Sequence, residues 1–241
     1  MPHDLEHSHE PEAIAKRLAD GPRASYLPDA VFGAIDGTVT TFAVVAGATG
    51  ASLSHRVVLI LGAANLLADG FSMAVGNFLS TRTAQEEALQ LMRREERHIN
   101  RDPAGETAEI REIYRRKGFR GPALEQITNL ITSRRDVWID TMLAEEYGAS
   151  LAHRSPYLAG LSTFLAFVVA GLLPLLPFLI GIDHASTYAA ALTGVVFFLI
   201  GSVRSRWSVR RWWTTGLETF LIGISAAIIA YLVGYLIEKL I

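Results

Sequence analysis

Charge is absent from three long stretches of the chain: the 24 residues from Tyr157 to Ile180, the 19 from Ala185 to Val203 and the 19 from Thr219 to Ile237. A helix rises about 1.5 Å per residue, so each stretch is long enough to cross about 30 Å of hydrocarbon. Two more stretches, Ala30 to Ser54 and Val57 to Thr81, are equally apolar apart from one acid each, Asp36 and Asp69. The pattern predicts five transmembrane helices. The same helices buried inside a soluble protein would need far more polar chain to cover them than remains here.

A contrasting block separates the second and third spans. Arg82 to Arg154 holds 13 basic and 13 acidic residues, which marks a soluble insertion. Its punctuation predicts three helices. The first continues from span two through Arg82 to about Ile99. The second runs from an N-cap at Asp102 and Pro103 to Gly118, and the third from near Pro122 to Gly148. In the third, Leu124, Ile127, Ile131, Trp138 and Met142 recur at helical spacing. The expected fold is all-α and polytopic. It comprises an N-terminal segment that is either a short interfacial helix or an untethered lead-in (1–28), spans one and two (29–81), the inserted three-helix domain (82–154) and spans three to five (155–241).

Composition narrows the chemistry. The 241 residues include 24 Asp plus Glu, 22 Lys plus Arg, seven His and no Cys, for a net charge of -2. Without cysteine there is no disulfide, thiolate nucleophile, Cys-ligated zinc or iron–sulfur cluster, so metal chemistry must use carboxylates, imidazoles, amides and thioethers. The charge balance gives no case for nucleic-acid binding. If the N-terminus and the insertion share one side of the membrane, that side carries 20 of the 22 Lys and Arg, including Arg204, Arg206, Arg210 and Arg211. Only Arg56 and Lys239 remain on the other. This asymmetry places the insertion and N-terminus in the cytoplasm and the C-terminus outside. Glu218, beside Arg211, Trp212 and Trp213, reads as part of an interfacial anchor.

Acids inside a membrane are costly and mark function by default. In span one, Gly33, Asp36, Gly37, Thr40 and Gly47 place an acid on a small, polar face. In span two, Asn65, Asp69, Ser72, Met73, Gly76 and Ser80 form one polar stripe. Met73 lies one turn from Asp69, and a thioether beside carboxylates favours softer divalent metals such as Fe2+ over Ca2+ or Mg2+. These ligands are too few for one first-row ion, so two subunits meeting at these helices would complete the set; a homodimer is expected.

The insertion carries its own donors. Glu95 and His98 are three residues apart, as are Glu106 and Glu109, while Met142 and Glu146 form an i, i+4 pair. Glu-x-x-His combined with carboxylates from neighbouring helices is the ligand pattern of di-iron bundles. Charged helix faces without metal show similar spacings. The N-terminal His3, His7 and His9, with Asp4, Glu6 and Glu10, could bind metal loosely, but the composition favours a disordered tail.

Tyr26 to Gly50, YLPDAVFGAIDGTVTTFAVVAGATG, and Ala68 to Ser80, ADGFSMAVGNFLS, resemble the first two spans of the vacuolar iron transporter family. The resemblance extends over nearly the whole chain, with five helices and an insertion after the second. It implies a proton-coupled exchanger of cytosolic Fe2+, and often Mn2+, with no prosthetic group. By the same resemblance Asp36 and Met73 match the transport-site residues at a dimer interface, with Asp69 as a second candidate. Glu95, Glu106, Glu109, Glu146 and Met142 match the metal-binding residues of the cytoplasmic domain. His98 stands where the family pattern expects a glutamate; Asn77 and Leu143 stand where many relatives carry an acid and a methionine. The implied location is the cell inner membrane in a prokaryote or the vacuolar membrane in a eukaryote. Two other functions fit the residues, a membrane-anchored di-iron ferroxidase and a metal sensor without transport. The transporter, which is not an enzyme, is the one that gives Asp36 and Asp69 a task.

Overall fold

The computed structural model describes residues 8–21, 24–149, 154–207 and 209–240. Among these residues all regular structure is helical, and five helices are long and apolar enough to cross a membrane. The chain divides into two compact units, one of residues 25–80 and 154–241, the other of residues 1–24 and 81–153.

The first unit is the apolar one. It contains α2 (Leu27–Gly50), the first half of α3 (His55–Arg101), α7 (Pro156–Leu172), the short α8 (Leu176–Ile180), α9 (Ala185–Arg204) and α10 (Trp212–Leu240). Pro174 and Pro177 lack the N–H that a continuous ladder needs, so a 3-10 turn at Leu173–Leu175 separates α7 from α8 within one span. The bundle is organised around α2, which packs along α7, α9 and α10. Glycine makes that approach possible. A Cβ on Gly33 would lie 2.3 Å from the Thr163 carbonyl oxygen, and one on Gly37 equally close to that of Phe167. Phe42, Val45, Phe167, Leu175, Phe178 and Phe197 fill the core, while Phe71, Leu79, Val169, Ile180 and Leu232 stay exposed, as suits side chains facing lipid. At the start of α10, Glu218 pairs with Arg204 at 3.1 Å and Arg210 at 3.5 Å beside exposed Trp212 and Trp213.

The second unit contains α1 (Pro11–Asp20), the end of α3, α4 (Pro103–Arg116), α5 (Gly121–Thr132) and α6 (Arg135–Glu145). Asp102 caps α4 by accepting from Gly105 N–H at 2.9 Å, with Pro103 in the first turn. Ile99, Ile110, Ile131, Trp138, Ile139, Met142 and Leu143 form its core. The stretch read as one helix from Pro122 to Gly148 is two. Thr132 and Ser133 donate their hydroxyls back to the Thr128 and Leu130 carbonyls, and Arg134 is extended, so the ladder stops and restarts. The break lets Ile131 and Trp138 both reach the same core. Gly148, at φ 60°, ends the segment. In α1, Leu18 is 72% exposed.

Candidate functional site

Asp36 lies midway along α2 and Asp69 midway through the apolar half of α3; both are half-buried. Met73, one turn beyond Asp69, is also half-buried and packs against the core cluster around Phe42 and Val45. The Asp36 carbonyl accepts from Thr40 Oγ1 at 2.9 Å, which keeps the threonine hydroxyl on the acid's side of the helix. The Asn65 amide nitrogen is buried without a partner. Two carboxylates and a thioether thus occur on α2 and α3, side chains of the kind that hold a softer dication.

The second unit gathers a denser cluster. The ligand atoms of Glu95, His98 and Glu106 lie within 4.8 Å of one another. His98 Nδ1 is 3.4 Å from Glu106 Oε1 and 3.8 Å from Glu95 Oε1. Glu95 and Glu106 are buried, and each keeps one oxygen, Oε2, buried with no partner. Orphaned carboxylate oxygens are costly unless something completes them. Burial first, and then the charges of Glu109, Glu95 and Glu146 in that order, together push Glu106 up to about 7. Burial likewise raises Glu146, against a hydrogen bond from Tyr147 that lowers it. Three buried or clustered acids therefore compete for too little positive charge, and a divalent cation would relieve all of them.

Not every candidate joins this cluster. Glu109 and Glu146 are within electrostatic reach, exposed at its rim. Met142 is fully buried among Ile99, Ile110 and Trp138, where it acts as core. His9 and Glu10 are exposed in the tail, and His3, Asp4, Glu6 and His7 lie outside the described residues. Tyr147 is a site residue that the sequence reading missed: its hydroxyl donates to Glu95 Oε1 at 2.8 Å. Its own titration is raised by burial and then by Glu95. The missed signal was its place beside Glu146. Asp29 was missed as well; it is buried in the first turn of α2.

Apolar spans bearing paired acids, joined to a polar helical unit with a carboxylate–imidazole cluster, define a multi-pass membrane protein equipped to bind cations. The sequence profile of the VIT family matches residues 27–235, and the chain belongs to that family. It is 29% identical over 216 residues to Vacuolar iron transporter 1 of Arabidopsis thaliana, covering 87% of this chain and 85% of that one. It is 31% identical over 227 residues to the Vacuolar iron transporter of Toxoplasma gondii, covering 89% and 75%. Vacuolar iron transporter 1 of Oryza sativa subsp. japonica is 28% identical over 228 residues, covering 93% and 88%. The protein is a membrane transporter and not an enzyme.

Proposed function

We propose that this protein is a proton-coupled antiporter that moves Fe2+, and Mn2+ as a related ion, out of the cytosol. The observation that carries the reading is that Asp36 and Asp69 are half-buried acids within two apolar membrane-length helices, with Met73 one turn from Asp69. The names of the relatives supply iron. A carboxylate in a dry path binds a proton or a dication, and each displaces the other; that competition is sufficient for exchange. Asp36 and Met73 form the transport site, with Asp69 in support. One chain supplies fewer donors than a first-row dication prefers, and a homodimer that brings two α2–α3 pairs together doubles them.

The second unit collects the ion on the cytosolic side. Glu95, His98 and Glu106 hold it, with Glu109 and Glu146 at the rim and Met142 behind them. The membrane is the cell inner membrane in a prokaryote and the vacuolar membrane in a eukaryote. The test is uptake of Fe2+, Mn2+ and Zn2+ by proteoliposomes under an imposed pH gradient. Wild type is expected to accumulate Fe2+ in proportion to the gradient and Asp36→Ala to abolish it. Undiminished proton-driven uptake by Asp36→Ala overturns the mechanism.

A further inference from the structure

Three helices meet at Asp29, which retains only 8% of its surface. Asn77 of α3 donates its amide to Asp29 Oδ1 at 2.9 Å and to Thr163 Oγ1 of α7 at 2.7 Å. The guanidinium of Arg154, two residues before α7, closes on the other carboxylate oxygen, Oδ2. It also lies 5.6 Å from the centre of the Tyr26 ring. Tyr26 ties the start of α2 to α7 a second time: its hydroxyl accepts from Ser155 N–H at 2.7 Å, and its carbonyl accepts from Ser162 Oγ at 3.1 Å.

The cluster lies on the line of the transport residues. Asp29 precedes Asp36 by seven residues, so the two share one face of α2, about 10 Å apart along its axis. Asn77 follows Met73 by one turn on α3. Asp29 and Asn77 therefore extend the Asp36–Met73 donors to the end of the bundle where α2 and α7 begin and α3 leaves for the second unit. A buried carboxylate requires a compensating cation, and here the cation is a side chain on a connecting segment. The Arg154 side chain keeps 37% of its surface exposed, so it can swing into solvent without breaking a core. The exchange scheme assigns no task to either residue.

We propose that Asp29 is the mouth carboxylate of the transport path and that Arg154 is its displaceable counter-cation. An arriving divalent cation takes the place of the guanidinium on Asp29, and the released arginine frees the start of α7 from α2 and α3. The inference rests on the transport reading and adds a site and a latch to it. A purely structural clasp would have the same geometry, but the two differ in what the single variants do. In a clasp, Arg154→Gln and Asp29→Asn both break one pair and move transport the same way. In a latch the first removes a competitor and the second removes the ligand, so the effects are opposite.

The half-saturating Fe2+ concentration in proteoliposomes decides between them. Arg154→Gln is expected to lower it and Asp29→Asn to raise it, each by at least about threefold, because a like charge at the mouth repels the ion and a bare carboxylate attracts it. The double variant D29N/R154Q strands no charge and keeps the neutral hydrogen bonds, so it decides the matter if Arg154→Gln fails to fold. It is expected above wild type and below Asp29→Asn. Shifts of one sign in the two single variants, or a double variant equal to wild type, overturn the latch. If wild-type protein shows no proton-driven uptake, the transport reading fails and takes the latch with it; a transporting wild type isolates the failure to the latch alone.

Discussion

Tyr147 donates to Glu95 Oε1, the oxygen that also lies 3.8 Å from His98 Nδ1, and the other oxygen, Oε2, is buried and unpaired. A phenol in that place holds the Glu95 carboxylate in its orientation toward His98. Removing such a supporting hydrogen bond at a metal site costs about tenfold or more in affinity. Tyr147→Phe keeps the ring, so titration of the intact protein with Mn2+ should show about that tenfold loss while the melting temperature is unchanged. An unchanged affinity would reduce Tyr147 to core packing. The pairings of Glu95 with His98 and of Glu106 with Glu109 could be read from sequence, because residues three apart share one face of a helix, whereas Met142 and Glu146, also paired by spacing, divide between core and rim. Tyr147 could not, since its partner is 52 residues away. Asp29 was hidden for a similar reason. An acid after Pro28 reads as an ordinary helix start, and its counter-ion lies 125 residues along the chain.

At the scale of helices, the long apolar runs were legible because the length of a span is fixed by the thickness of the bilayer. The break between α5 and α6 was not. It depends on two hydroxyls bonding back to carbonyls and on an extended Arg134, and an apolar rhythm alone does not record that. The contact between α2 and α7 tolerates no added volume. Gly33→Ala pushes a methyl into the Thr163 carbonyl, and overpacking of this kind costs about 1–3 kcal/mol. A thermal melt in detergent should register the loss, and an unshifted melt would mean that the helices part freely. The carboxylate cluster makes a second prediction for this scale. Glu106 ordinarily titrates near 4.5 and is pushed up to about 7, so without metal the folded protein retains a proton there that the unfolded chain releases. That contribution to stability is therefore lost as pH rises from about 4.5 through 7. A dication must expel the same proton. Calorimetry of Mn2+ binding at about pH 6, in two buffers of different ionisation enthalpy, should reveal proton release that disappears above about pH 8. Binding at pH 6 without proton release would place the metal away from Glu106.

For the whole molecule, sidedness follows from where the positive charge falls. Odd membrane crossings separate the N-terminus from the C-terminus, and even crossings return the chain to its starting side. With five spans, the N-terminus, the segment after α3 and the Arg204–Arg211 connection share one side, which then bears 20 of the 22 Lys and Arg. Holding so many cations on the cytosolic face is favoured over moving them across a bilayer. The absence of native cysteine makes the arrangement directly testable, since any introduced thiol is the only one in the chain. Ala123 in α5, Ser54 between α2 and α3, and Glu238 near the end of α10 are all exposed. Single cysteines at these positions, treated with a membrane-impermeant maleimide in sealed vesicles of known sidedness, should divide into two groups. Ala123→Cys reacts only from the cytosolic face, and Ser54→Cys and Glu238→Cys only from the opposite one. Labelling of positions 54 and 238 from different faces would remove one of the five spans. Labelling of all three in the reverse sense would put the carboxylate cluster on the wrong side to collect cytosolic metal, and the proposed direction of transport would fall with it.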